Sequence, residues 1–321
     1  MVKIDCIVIF FIKNIQTKGK RQKAKKMDIA RMNSMLESRF TETACSSDTT
    51  SSYSIERCFW AGKTQYGDVV IAKSPVYGKL LFIDDELQSA ESDERIYHEH
   101  LVHPILNATV GTAEKRVLIV GGGEGATTRE VLKWSPKHVK EVVWIDIDQE
   151  LVDLCKQHLA YANGVYEDSR VKFHAKDIRK YLAETAELFD VIILDLPDPD
   201  VEYLSEYSAE EDANDYELYG PTFWKNIKSK LTANGQIVTH TGPVSPGKDA
   251  NKWRAGLTWI EQIAKMPLSV AYHVNIPSFQ SEWGFWISLP PSHMQRFPEG
   301  LSVMDGFAQI QAFSWPAYWF K

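Results

Sequence analysis

The sequence predicts an α/β fold in two parts: a mostly parallel sheet with helices on both faces, preceded by a small antiparallel β domain. Three observations carry this. From Arg116 onward, short apolar strands alternate with helical segments, the rhythm of βαβ units. The run VLIVGGGEGATTREVL, Val117 to Leu132, joins a strand to a helix through a glycine cluster. Ahead of it, DVVIA and KLLFID are punctuated by the turn strings SPVYG and DDELQ, as in a small meander.

Taken in order, residues 1–52 are expected to be a disordered tail. Residues 1–31 hold nine Lys/Arg against Asp5 and Asp28. The apolar run Ile7–Ile12 falls far short of the roughly 20 residues that span a bilayer, and the segment TETACSSDTTSSYS at 41–54 has a linker's composition. Deleting 1–50 is therefore expected to leave a catalytic rate intact. Residues 53–112 are read as the β domain plus a linking helix, SDERIYHEHLVHPIL, with Ser92 as N-cap. Residues 113–321 form the larger α/β domain. Its strands are read at Val117–Val120, Glu141–Ile145, Val171–Ala175, Val191–Leu194 and Gln236–His240, with helices at Ala126–Trp134, Gln149–His158 and Thr222–Leu231. An antiparallel pair near Ser269–Val274 and Gly284–Leu289 closes it. Residues 198–217 carry nine acids and no Lys or Arg, either a solvated loop or a lid.

Charge narrows the partners. The chain's net charge is −7, and the first 31 residues contribute +7, so the body carries −14. Such a body repels nucleic acid and attracts polycations. Cys6, Cys45, Cys58 and Cys155 form no CxxC pair, which points to a reducing, cytoplasmic setting rather than a disulfide framework. No membrane partner is expected. The string YHEHLVH is not HExxH, because Val102 stands where the second His belongs, and no metal is expected.

Ligands of open α/β sheets bind beyond the carboxyl ends of the strands. There the first strand delivers Gly121, Gly122, Gly123, Glu124 and Gly125; the second ends in Asp146, the third leads to Asp177, and the fourth ends in Asp195. The glycines permit close backbone approach. Asp146 has the spacing of a carboxylate that holds ribose hydroxyls. Asp177 could accept from an adenine amino group while Ile178 packs on the ring; a helix N-cap is its plainer reading. Glu124 opposes a pyrophosphate, and equally the carboxylate of S-adenosylmethionine. A nucleoside with a cationic tail and no carboxylate suits it, and decarboxylated S-adenosylmethionine is such a molecule.

A protonated amine is not a nucleophile, so an amine acceptor needs a carboxylate at the reacting end to take its proton. Asp195 is placed for this. Asp198 is read as a second ammonium partner, and Tyr97 and His98 as groups closing the site.

GGGEG, DIDQELVDLC, LDLPDP and LQSAESDERIYHEHLVHP resemble the spermidine synthase family of polyamine aminopropyltransferases, from about Tyr66 to the C-terminus. IYHEHLVHP and IPSFQSEWGF are similar to the thermospermine synthases, with Phe279 where spermidine synthases tend to have Tyr. The resemblance implies a β-stranded N-terminal domain on a Rossmann-like catalytic domain of the methyltransferase type, usually as a dimer. It also implies decarboxylated S-adenosylmethionine as co-substrate with no prosthetic group, and a polyamine acceptor. Asp195 would be the proton acceptor, Glu124 would hold the aminopropyl ammonium, Asp146 the ribose, and Asp177 with Ile178 the adenine. Gln88, Tyr97 and His98 would line the groove. The family's YQD segment reads QYGD here, so Gly67 replaces a Gln, and Gln65 on the same strand face is the substitute. Four functions stay open: aminopropyl transfer to spermidine giving thermospermine, the same chemistry on putrescine, an S-adenosylmethionine-dependent methyltransferase, and a non-catalytic polyamine binder.

Overall fold

The computed structural model describes residues 39–43, 50–109, 114–198, 218–244, 257–258, 260–266, 268–290 and 297–315. The chain divides into two compact units, Met1–Ser92 and Asp93–Lys321.

The first unit holds a hairpin, β1 (Arg39–Thr43) with β2 (Thr50–Ser54), and a four-stranded antiparallel meander. The meander runs β3 (Arg57–Lys63), β4 (Asp68–Ser74), β5 (Gly78–Ile83) and β6 (Glu86–Ala90), in that spatial order. Asp84 and Asp85 both take positive φ, 51° and 69°, and turn β5 into β6; short acidic side chains tolerate this left-handed backbone, which suits the twist of a hairpin.

The hairpin corrects one expectation, since residues 39–43 and 50–52 belong to strands and not to a disordered tail. The Ser/Thr content of TSSYS suggested a linker, but the segment alternates, with Ser51 and Tyr53 inward. Phe40 packs on Phe82 at 3.9 Å between centroids, and Tyr53 meets the same ring edge-on at 5.6 Å. The basic stretch 1–31 lies outside the described residues. Tyr53 is only 2% exposed, so Tyr53→Ala should cost about 3 kcal/mol or more, and deleting 1–50 should destabilise this unit by removing Phe40. Urea unfolding of both variants checks this; midpoints equal to the parent's would show that the hairpin contributes nothing.

In the second unit seven strands form one sheet: β7 (Lys115–Gly121), β8 (Val139–Asp146), β9 (Val171–Ala175), β10 (Phe189–Asp195), β11 (Leu231–Val244), β12 (Val270–Ile276) and β13 (Ser281–Ile287), in the order β12-β13-β11-β10-β7-β8-β9. The five from β11 to β9 are parallel; β13 runs antiparallel to both β11 and β12. The central strands carry apolar runs, Val117–Val120, Val142–Ile145 and Val191–Leu194, because both faces of the sheet are covered there. Val117, Ile119, Val191 and Ile193 point into one core with Leu101, Ile105 and Val131. Leu118, Val120, Ile192 and Leu194 point into the other with Ile178, Phe223, Trp224 and Ile227. The order reverses at β7: the chain runs outward through β8 and β9 on one side, then crosses back to place β10 on the other, and this opens a crevice at their carboxyl ends.

Helix α1 (Glu94–Ala108) belongs to this unit, whereas the sequence reading groups it with residues 53–112. It packs on α2 (Ala126–Leu132) and on β11 and β12. Its N-cap is Asp93, not Ser92. The Asp93 carboxylate makes no cap bond; it accepts from the backbone N–H and hydroxyl of Ser278 instead, at 2.7 and 2.8 Å. Pro104 lies inside the helix and cannot donate to the carbonyl of His100. The hydroxyl of Tyr272, 172 residues away, supplies that bond at 2.7 Å. Further helices are α3 (Gln149–His158), α4 (Ile178–Glu184), α5 (Pro221–Ser229) and α6 (Gly306–Ala312), and residues 260–264 are also helical. Among the described residues no helix is long and apolar enough to cross a membrane.

Candidate active site

The crevice begins where β7 ends. Gly121 has φ 84°, and a Cβ there would lie 2.0 Å from the carbonyl oxygen of Asp195. Only glycine lets the β7 turn come this close to β10. The approach is used: the N–H of Gly122 donates to that carbonyl at 2.9 Å. From the other side, the indole N–H of Trp144 donates to the carbonyl of Gly121 at 2.9 Å. Gly125, with φ 78°, opens α2; a Cβ there would sit 2.4 Å from that of Ala162.

Asp195, the last residue of β10, is held through both carboxylate oxygens. The Tyr97 hydroxyl donates to Oδ1 at 2.7 Å and the Thr127 hydroxyl to Oδ2 at 2.6 Å. Burial, with Asp195 beside it, pushes the Tyr97 phenol well above its usual range, so it stays a neutral donor. Tyr97 also belongs to an aromatic wall: its ring lies 5.9 Å from His240, 6.4 Å from Phe279 and 6.5 Å from Trp283. Phe279 packs on Trp283 at 4.6 Å. Asp198 is exposed, with a carboxylate oxygen 3.4 Å from Nδ1 of His240.

Glu124 and Asp146 lie on the other side of the turn. Glu124 is 7% exposed and meets Nε2 of His98 at 2.9 Å. Asp146, at the end of β8, is 8% exposed. Its Oδ1 accepts from the N–H of Asp148 at 2.8 Å, and its Oδ2 lies 3.0 Å from where a Cβ on Gly123 would be. Burial lifts the Asp146 carboxyl to about 7, against the pull of the Asp148 N–H, with the Asp148 and Asp195 charges adding to the rise.

Asp177 stands just past β9, at the start of α4. It caps α4, accepting from the N–H of Arg179 at 2.9 Å, and Nε and Nη2 of Arg179 bind the same carboxylate. This pairing holds its carboxyl below the usual range. Ile178 is buried in the second core cluster. Gln88 lies on β6 of the first unit, exposed, its amide donating to the carbonyl of Glu86 at 3.3 Å. Gln65 is not on a strand: residues 64–67 form the turn between β3 and β4, closed by the N–H of Thr64 on the carbonyl of Gly67 at 2.9 Å. The strand-face argument for Gln65 therefore fails, because residues 64–67 have left the strand. The acidic stretch 199–217 lies outside the described residues.

The remaining histidines of α1 serve the fold. His100 binds the carbonyl of Ile96; His103 lies between Glu130 and the indole N–H of Trp134. Among the described residues no group of three His, Cys, Asp or Glu is placed to hold a metal ion. Sequence reasoning missed Thr127, Glu94 and Arg129. A hydroxyl in the first turn after a glycine cluster was a signal for Thr127; the other two had none.

Fold and crevice define an α/β protein with an acid-lined site at the topological switch of its sheet. The chain belongs to the spermine/spermidine synthase family: the spermine/spermidine synthase domain matches residues 94–292, and the spermidine synthase tetramerisation domain matches 40–91. It is 35% identical over 237 residues to thermospermine synthase ACAULIS5 of Arabidopsis thaliana, covering 74% of this chain and 65% of that protein. It is 35% identical over 247 residues to polyamine aminopropyltransferase 2 of Pseudomonas aeruginosa, covering 76% and 66%. With a polyamine aminopropyltransferase of Saccharolobus islandicus the identity is 37% over 232 residues, 72% and 71% of the two chains. The chain thus spans just under two thirds of the first two relatives. The fold is that of a spermidine synthase solved with the transition-state analogue AdoDATO, with TM-score 0.74 at 19% identity over 93% of this chain and 96% of that one. The spermidine synthase from Thermotoga maritima gives TM-score 0.72 at 18% identity over 93% and 95%.

Proposed function

We propose that this protein is an aminopropyltransferase that uses decarboxylated S-adenosylmethionine as co-substrate and spermidine as acceptor, giving thermospermine and methylthioadenosine. The observation that carries the chemistry is Asp195, fixed by Tyr97 and Thr127 at the end of β10 beside the aromatic wall. Its carboxylate takes the proton of the attacking amine. The free nitrogen then bonds to the propyl carbon next to the sulfonium, and the carbon–sulfur bond breaks to release methylthioadenosine. Alignment and proton removal are each worth orders of magnitude.

Glu124 receives the aminopropyl ammonium, Asp146 the ribose hydroxyls, and Asp177 with Ile178 the adenine. Asp198 serves a further ammonium of the acceptor, and Gln88 remains a co-substrate residue by family likeness. Glu124 is a less bare charge than its position in the sequence suggested, since His98 is paired with it. Support for spermidine over putrescine comes from Phe279 on Trp283: an apolar wall favours a methylene segment over a second ammonium, which is costly to bury unpaired. The thermospermine synthase relative supports the product, and the match at 40–91 supports a homo-oligomer. The cysteine pattern supports a cytoplasmic location.

The test is incubation with decarboxylated S-adenosylmethionine and each amine, measuring methylthioadenosine and resolving the isomeric tetraamines by chromatography. Thermospermine as main product, with spermidine faster than putrescine, is expected. Spermine as product or preference for putrescine would overturn the assignment of acceptor while leaving aminopropyl transfer standing.

The raised Asp146 carboxyl gives a pH prediction. Ribose hydroxyls donate to the ionised form, so binding lowers its proton affinity. Methylthioadenosine should bind more tightly as pH rises through about 7 and release a proton on binding near pH 6. Calorimetry in two buffers of different ionisation enthalpy reads this directly; binding without proton release at that pH would remove Asp146 from the ribose site.

A further inference from the structure

Behind Glu124 stands a buried chain of alternating charge that the reaction chemistry leaves unexplained. His98 is 2% exposed. Its Nε2 lies 2.9 Å from Oε1 of Glu124, and its Nδ1 lies 2.7 Å from the carbonyl of Glu94 and 3.0 Å from that residue's Oε2. Every one of these partners is an acceptor. Both ring nitrogens must therefore donate, which only the imidazolium does. Glu94, 5% exposed, is in turn clasped by Arg129 through two bonds, Nη1 to Oε1 at 3.0 Å and Nη2 to Oε2 at 2.8 Å. This bidentate geometry gives direction as well as strength.

The series Arg129, Glu94, His98, Glu124 thus runs plus, minus, plus, minus from the helix pair α1–α2 into the glycine turn. We propose that Glu94, anchored by Arg129, is a positioning residue: it keeps His98 doubly protonated, and His98 then fixes the Glu124 carboxylate in the orientation that receives the co-substrate's ammonium. The last clause rests on the proposed function; the first does not. The groups facing His98 are Glu94 from its own helix, Glu124 from the turn after β7, and the Tyr97 ring, edge-on at 5.0 Å. Cys155 of α3 faces Glu124 as an un-ionised thiol, burial and the neighbouring carboxylates driving its pKa up. Arg129 also binds Glu130 and the carbonyl of Tyr161, so it is held independently of the site. Burial alone would strip His98 of its proton, but the two carboxylates outweigh it and hold the ring up to about 10. Burial likewise opposes the charge of Glu94, and His98 with Arg129 bring it down to about 2. The charge of His98 is then constant across neutral pH. Without the two carboxylates the buried ring would lose its proton below the ordinary histidine pKa of about 6.5, and the grip on the ammonium would depend on pH.

The variant Glu94→Gln tests this. The backbone carbonyl of residue 94 still accepts from Nδ1–H, but the side chain no longer carries a charge, so one of the two carboxylates that hold the ring protonated is gone. In the full-length protein, the ¹⁵N imidazole shifts of His98, assigned with His98→Asn, are followed from pH 5 to 10. The parent's His98 is expected to stay protonated through pH 8. In Glu94→Gln its proton affinity should fall by about a hundredfold or more. The variant's kcat/KM for decarboxylated S-adenosylmethionine should gain a limb that falls with rising pH at the same midpoint, with kcat less affected. Glu94→Asp, which keeps the charge, should restore much of the parent profile. A neutral His98 in the parent at pH 8 would overturn the proposal without any variant. So would a folded Glu94→Gln in which His98 and kcat/KM titrate as in the parent. The shifts report on Glu94 and His98 whatever the acceptor, so a failure of the proposed reaction shows separately, as absence of methylthioadenosine release by the parent.

Discussion

Asp195→Asn is expected to lower turnover by about a hundredfold or more while leaving the fold and nucleoside binding close to the parent's. The two side chains have the same shape. Tyr97 can still donate to the amide oxygen, and the amide NH₂ can donate to the Thr127 hydroxyl, so both anchors of the carboxylate survive in altered form. The Gly122 N–H bonds to the backbone carbonyl of residue 195, which the substitution does not touch. What disappears is the ability to accept a proton, and an amine near pKa 10 then attacks only through its small free fraction. A hundredfold loss is about 2.7 kcal/mol of barrier. Methylthioadenosine release at saturating substrate, with methylthioadenosine affinity measured alongside, checks it. Turnover within a few-fold of the parent would mean that the proton leaves by another path.

Gly121→Ala should have a comparably large effect, for a different reason. At φ 84° an L side chain is strained, and its Cβ would sit 2.0 Å from the carbonyl oxygen and 2.8 Å from the carbonyl carbon of Asp195. Those are backbone atoms of the adjacent strand, so neither can swing aside as a side chain would. Relief requires β10 and the turn to part, which breaks the Gly122–Asp195 bond and moves the proposed base. Strain and overpacking together should cost about 3 kcal/mol or more, and activity should fall further than stability accounts for. Gly164→Ala is the control. Its φ is 81°, but nothing lies within 4 Å of the added methyl, so only the backbone penalty of about 1–2 kcal/mol applies. Urea unfolding of the pair separates the two effects. Equal losses would show that close approach is not what requires glycine at 121.

The sequence by itself determined the architecture and the ring of acids. Runs such as VLIV and VIIL are apolar on both faces because their strands are covered on both sides, and that is a local pattern. Where a strand ends, and which residue stands there, is local too, so Glu124, Asp146 and Asp195 were legible as strand-end carboxylates. What each acid does with its lone pairs was not. Asp177 turned to its own helix and Arg179, an option equally open to any aspartate before a helix. Asp195 is oriented by Tyr97, 98 residues before it, and Thr127, 68 before it; His98 is charged because one carboxylate lies a helical turn away and another arrives from the glycine turn. Residues 39–43 and 50–54 became strands, with Phe40 and Tyr53 on the Phe82 ring, which composition cannot reveal. The physical reason is common to all of these. Backbone periodicity is set by neighbours in the chain, whereas the charge and direction of a buried polar group are set by whichever donors and acceptors the fold brings within about 3 Å, and those come from anywhere in the sequence.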